Sequence, residues 1–205
     1  MKRAVVIVGI AVAACFGPVG AQAEQDPTLS IQSVQYKGSG CPQDSVDVSV
    51  NDDGSSFTVA YDAYKASVGP GIAPAEANKY CSLQLDVRVP QGWTFTVGTF
   101  DMTGFAELPV NVKGLQKAVF SYDWSEEASA SRVEFEGPLD QGYAAHDIMS
   151  LTPLPPRFCD GAVSLSVDTS IRISPGDGQA GQGQLSTQSP DGKVMQVIGV
   201  NWIRC

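Results

Sequence analysis

Apolar residues at every second position, in short runs broken by turn signals, constrain this chain more than any other feature. Val46, Val48 and Val50 alternate with polar residues, Asn51-Asp52-Asp53-Gly54 follows, and Phe57, Val59, Tyr61 and Ala63 alternate on the return. Asn and Asp beside a glycine supply the side-chain hydrogen bonds and positive φ of a tight turn, so this segment predicts a hairpin. Leu83, Leu85, Val87 and Val89 alternate before Pro90-Gln91-Gly92, and Trp93, Phe95 and Val97 alternate after it, which predicts a second hairpin. Val163, Leu165, Val167, Ile171 and Ile173 mark a long strand, and Ser189-Pro190-Asp191-Gly192 predicts the turn of a last hairpin before Ile198, Val200 and Trp202. A period of two buries one face of a strand and leaves the other wet. About ten such runs and no long amphipathic helix predict an all-β fold, an antiparallel β-sandwich of jelly-roll or immunoglobulin-like type.

The irregular stretches refine this reading. The apolar phase slips by one residue near Ser33, between Leu29 and Tyr36, which predicts a bulged strand. Phe105 to Lys117 reads as a strand broken by Pro109 and Gly114, and Tyr143 to Met149 as a further strand. Ser125-Glu126-Glu127-Ala128 has room for a short helical turn, and Ser174 to Gln184 is a glycine-rich loop.

The N-terminus reads as an export signal. Lys2 and Arg3 precede an apolar run from Ala4 to Phe16, and Ala21-Gln22-Ala23 is a small-x-small site that predicts cleavage after Ala23. At about 1.5 Å per residue the run is too short to span a bilayer. The expected organisation is a signal peptide over 1–23, a short tail over 24–28 and one sandwich domain over 29–205. Val12-Ala13-Ala14-Cys15 also fits a lipobox that would anchor the chain through a lipid on Cys15. No polar tether follows Cys15, so free export, to the periplasm or the medium, is the favoured reading.

Formal charge is −9, and loss of Lys2 and Arg3 with the leader moves it to −11. The basic residues look scattered singly along the sequence, so no basic patch is expected. That charge opposes nucleic acid and anionic lipid as partners.

Export gives the cysteines their meaning. Cys41, Cys81, Cys159 and Cys205 remain after cleavage, an even number that predicts two disulfides with three connectivities open. Sequential pairing, Cys41–Cys81 with Cys159–Cys205, closes the shorter loops and is the expectation adopted. There is no CxxC and only one histidine, which disfavours zinc and dithiol redox chemistry.

Candidate chemistry is sparse. His146 precedes Asp147 without any GxSxG elbow, and a single histidine in a β protein is ordinarily a polar strand position. Glu134 and Glu136 share a strand face about 7 Å apart, inside the roughly 5–9.5 Å window of glycosidase carboxylates, although a solvated face is the commoner explanation. Asp52-Asp53 or Asp177 would be the calcium donors if a metal bound. The D-x-D-x-D-G spacing is missing, and no cofactor is expected. Aromatic residues can stack on sugar rings, and most here fall in phase with the core. Tyr64 and Tyr80 break phase and flank the loop within Ala66–Val89, which makes them the surface candidates for ligand binding. That stretch reads as an ordered crossover between two hairpins, clamped at Cys81.

GSGCP at Gly38 to Pro42, SVGPGIAP at Ser67 to Pro74 and Cys81 opening an alternating strand occur in a telling order. With PQGWTF at Pro90 to Phe95 and the terminal Trp202-Ile203-Arg204-Cys205, they resemble the secreted proteins of the DUF4360 family, whose function is unknown. The resemblance runs from about Leu29 to Cys205 and implies an exported β-rich domain. It brings no catalytic residue. The family's usual Asn before the second cysteine is Tyr80 here, so no role of that Asn carries over. The expected function is that of a non-enzymatic exported binding or structural protein of the cell surface or matrix, glycan-binding in its more specific form. The rival is a secreted hydrolase using Glu134 and Glu136.

Overall fold

Strands with one apolar face must bury it, and in the computed structural model two antiparallel sheets do so against each other. Residues 27–152, 158–159, 161–174, 181–187 and 195–205 are described. The first sheet has the order β1 (Ser30–Lys37), β5 (Asn78–Arg88), β10 (Ala162–Ser174), β7 (Lys113–Tyr122), β8 (Ala128–Glu136). The second has the order β2 (Val46–Val50), β3 (Ser56–Tyr61), β12 (Gln196–Arg204), β6 (Trp93–Leu108), β11 (Gly183–Ser186), β4 (Lys65–Val68), and β9 (Leu139–Ile148) also pairs with β6. No α-helix occurs among the described residues, and no described helix is long and apolar enough to cross a membrane.

The predicted β2–β3 hairpin forms, with Val46 opposite Tyr61 and Val50 opposite Phe57. The bulge in β1 also forms, as a register shift between Ile31 and Ser33. Two expected hairpins do not form. Leu83–Val89 lies in β5 of the first sheet and Trp93–Val97 in β6 of the second, so Pro90-Gln91-Gly92 joins the sheets. Likewise β12 pairs with β3 and β6 rather than with a preceding hairpin partner, and residues 188–194 lie outside those described. Alternation reports that one face is buried and does not name the neighbouring strand. Gly114 does not break its strand: it sits within β7, where an added Cβ would lie 3.1 Å from Leu185 and 3.2 Å from Leu108. Ser125 closes the β7–β8 connection by a turn bond to Tyr122, without a helix.

The core is the space between the sheets. Phe100 of β6 packs edge-on to Phe120 of β7 at 5.0 Å, and Phe95 edge-on to Tyr122 at 6.2 Å, each pair bridging the layers. Leu85, Val87, Leu165, Val167, Phe57 and Ile198 are fully or almost fully buried around them. Two tyrosines, Tyr64 buried and Tyr143 half-buried, add polar ties between the layers. Tyr64 Oη is 3.0 Å from Thr169 Oγ1 of β10. Tyr143 of β9 donates to Gln116 of β7, and its oxygen is 3.0 Å from the Ser186 carbonyl oxygen. Burial pushes the Tyr64 and Tyr143 phenols well above their usual range, since nothing in the core solvates a phenolate.

Disulfides join Cys41 to Cys81 and Cys159 to Cys205. The first fixes the start of β5. The second ties down the C-terminus, where the Cys205 amide also donates to the Gly92 carbonyl at 3.0 Å.

Candidate functional site

The outward face of the five-stranded sheet is polar, and no described element lies over it. Pairing register sets its rows. One row runs Tyr80, Ser170, Lys117, Arg132 across β5, β10, β7 and β8. The row before it runs Asn78, Arg172, Leu115, Glu134, and the row after runs Ser82, Asp168, Val119, Ala130.

Tyr80 is the one exposed aromatic among the described residues of this face, with 53% of its surface accessible. Its backbone is nevertheless clamped on every side. The Tyr80 amide donates to Ser39 Oγ at 3.3 Å, its carbonyl accepts from the Gly40 amide at 2.8 Å, and the next residue is held by the disulfide. The GSGCP segment makes this clamp fit. Gly38 has φ of 150°, and a Cβ there would lie 2.1 Å from the Tyr80 carbonyl oxygen. A Cβ on Gly40 would lie 2.1 Å from the Tyr64 ring. A mobile exposed tyrosine would lose rotational freedom on binding; one on a locked backbone loses less.

Toward the far end of the same face, four residues along β5 or about 13 Å away, a carboxylate and an amide are already oriented. Gln84 Nε2 donates to Asp123 Oδ2 at 2.5 Å and to Ser164 Oγ at 3.0 Å, while Ser166 Oγ donates to Asp123 Oδ1 at 3.2 Å. Each carboxylate oxygen keeps a further lone pair for a ligand hydroxyl, and Gln84 Oε1 is an additional acceptor. Gln84, Ser82, Ser166 and Lys37 line a shallow cleft of about 190 Å³ here. A larger cleft of about 470 Å³ opens on β7, β8 and β10, lined among others by Lys113, Arg132, Glu134, Glu136 and Arg172. Both lie on this one face.

The residues expected from sequence divide sharply. Tyr64 is not a surface residue: it is fully buried, because the chain turns inward after β3 and aims its ring at Tyr61, 5.0 Å away, and at Thr169. Glu134 and Glu136 do share one exposed strand face, and each is in an ion pair, Glu134 with Arg132 at 2.5 Å and Glu136 with Lys113 at 3.9 Å. His146 and Asp147 point to opposite faces of β9. His146 Nδ1 pairs with Asp101 across the strand at 2.6 Å, and Asp147 accepts from Ser131. Asp53 accepts from the Ser55 amide at 2.9 Å, which lowers its carboxyl's pKa and accounts for its place in the turn. No cluster of three metal-ligating side chains occurs among the described residues. Asp177, Cys15 and Ala23 lie outside those residues.

Sequence reasoning missed the basic cluster. Lys113, Lys117, Arg132 and Arg172 look scattered in the sequence and gather on three adjacent strands. The spacing of Lys113 and Lys117, both on one face of β7, was the only part of that signal visible without the register.

The model of the family described as "Domain of unknown function (DUF4360)" matches residues 27–205. The chain belongs to the DUF4360 family. A relative described as an "Uncharacterized secreted protein" of Arthroderma benhamiae is 31% identical over 186 residues, which is 91% of this chain and 76% of that one. Among solved structures, this DUF4360 chain is similar to TmCBM61 in complex with β-1,4-galactotriose, at 12% identity and a TM-score of 0.27, covering 85% of this chain and 90% of that one. It is also similar to a family 11 carbohydrate-binding module from Clostridium thermocellum in complex with a β-1,3-1,4-mixed-linked tetrasaccharide. There the identity is 8% and the TM-score 0.23, with 85% and 88% of the two chains covered.

Proposed function

We propose that this DUF4360 protein is an exported, non-enzymatic glycan-binding protein whose binding surface is the outward face of the five-stranded sheet. The observation that carries this reading is Tyr80: an aromatic ring more than half exposed, on a backbone immobilised by a disulfide and two hydrogen bonds. A pyranose offers an apolar C–H face and a rim of hydroxyls. An aromatic ring suits the first, and fixed amides and carboxylates such as Gln84 and Asp123 suit the second. The row spacing lets a chain of sugars lie from Tyr80 toward Gln84 along β5.

The hydrolase alternative has one observation in its favour, since Glu134 and Glu136 both line the larger cleft. Against it, both side chains are mostly exposed and each is in an ion pair. A general acid needs apolar enclosure to hold its proton at neutral pH.

The test is a pull-down against a panel of immobilised neutral and acidic polysaccharides. Retention released by free oligosaccharide is expected. Absence of retention on the whole panel would overturn the reading. Turnover of a panel glycan by the wild type, lost in Glu134→Gln, would replace it with the hydrolase.

A further inference from the structure

We infer that the glycan taken by this face is acidic, and that Arg172 and Lys117 receive the carboxylates of its uronate units. The inference rests on the glycan-binding reading above and adds the chemical class of the ligand.

In a chain of formal charge −9, four cations gather at one end of a single sheet face. Two are already engaged: Arg132 by Glu134, and Lys113 by Glu136. The other two have no ion pair or hydrogen-bond partner among the described residues, and both are exposed. Lys117 stands opposite Ser170 on β10, and Arg172 is the next outward residue along that strand. Such diagonal neighbours lie about 7–8 Å apart. Tyr80 stands opposite the same Ser170 from the other side, which puts Arg172 on its diagonal as well.

The three side chains therefore stand around Ser170, two unengaged cations and one fixed aromatic, with the exposed Asp168 on the remaining side, where it turns a ligand carboxylate toward Arg172 and Lys117. In this arrangement a sugar ring stacked on Tyr80 would turn its C5 substituent across Ser170 toward both cations. A hexuronate carries a carboxylate at that position, where a neutral hexose carries a hydroxymethyl group. Guanidinium presents a planar fork that matches a carboxylate's two oxygens. Beside it, Arg132 already takes a carboxylate of this chain, with Nε and Nη2 both donating to Glu134 Oε1. The negative charge of the rest of the molecule repels polyanions generally. Attraction confined to this corner then favours a ligand whose charges are spaced along a sugar chain.

The experiment is affinity electrophoresis of the exported protein in gels containing polygalacturonate, its methyl ester, neutral galactan or dextran sulfate. The wild type, Arg172→Ala/Lys117→Ala and the control Arg88→Ala, which alters the other end of the same face, are compared. Melting temperatures verify folding, and Arg172→Gln/Lys117→Gln replaces the alanine pair if that pair misfolds. We expect the wild type to bind the free acid at least about fivefold more tightly than the ester, the scale of two exposed charge pairs repeated along a polymer. The double variant should lose that preference while Arg88→Ala keeps it. Equal binding to acid and ester, equal loss in Arg88→Ala, or retention by dextran sulfate as strong as by the acid would each overturn the inference. Binding to the neutral glycan alone would do so while leaving the glycan-binding reading intact. Absence of binding in every gel would overturn both.

Discussion

The phenolic oxygen of Tyr64 lies 3.0 Å from the hydroxyl of Thr169, deep between the sheets, and Thr169 Oγ1 lies 3.3 Å from the carbonyl of Cys81. The chain leaving β3 is thereby tied to the strand that carries Tyr80. Thr169→Val keeps the shape and strands a buried phenol, which should cost about 1–3 kcal/mol. Tyr64→Phe combined with Thr169→Val removes both partners and should cost less than the single Thr169→Val change. Urea denaturation of the two variants and the wild type measures the difference.

The two disulfides should differ in what their loss does. Each closes a loop of similar length, 40 and 46 residues of sequence separation, so each stabilises by about 4 kcal/mol on the chain-entropy model. Removing Cys41–Cys81 by paired Ala substitutions should also impair glycan retention, because that bond holds the residue after Tyr80. Removing Cys159–Cys205 should lower the unfolding midpoint alone. Retention assayed well below each variant's midpoint separates the two effects.

Gly38 and Gly92 test the clamp at constant chemistry. Both have positive φ, but a Cβ on Gly38 would lie 2.1 Å from the Tyr80 carbonyl oxygen, whereas Gly92 has open space. Gly92→Ala should cost about 1 kcal/mol from backbone conformation, and Gly38→Ala clearly more, about 2–3 kcal/mol or above. Thermal denaturation of both variants gives the comparison.

How much of this was legible in the sequence depends on what each pattern encodes. The β2–β3 hairpin was readable because Asn51 to Gly54 names both the turn and the partner strand. For β5 and β6 the alternation was equally clear, yet nothing local says that Pro90 to Gly92 leads to the other sheet. Phase breaking at Tyr64 was a true signal with the wrong meaning: the strand had ended, and the ring turned inward to Thr169. At Tyr80 the break marked an outward residue. The basic cluster needed long-range register, since Arg132 and Arg172 meet Lys117 and Leu115 only through β8 and β10 pairing.

Alkali should unfold the protein through its desolvated tyrosine phenols. Desolvation raises the phenols of Tyr61, Tyr64 and Tyr143 in the folded state above the ordinary 10.0. Below pH 10 these phenols are neutral in both states and stability is unaffected. Above it the unfolded chain ionises and the folded one resists, so stability falls by up to about 1.4 kcal/mol per tyrosine for each pH unit. Tyrosinate absorbance of these three should appear together with loss of the folded signal, as a pH titration followed at both wavelengths would record.

The most direct measurement of the central claim is the dissociation constant of Tyr80→Ala for a glycan that retains the wild type, taken with its melting temperature. Exposed as it is, Tyr80 should be replaceable with little change in stability, within about 0.5 kcal/mol. Stacking of a sugar on its ring predicts a loss of affinity of about tenfold or more, on the scale of 1–1.5 kcal/mol for an aromatic contact. Unchanged affinity in a folded Tyr80→Ala protein would contradict the account.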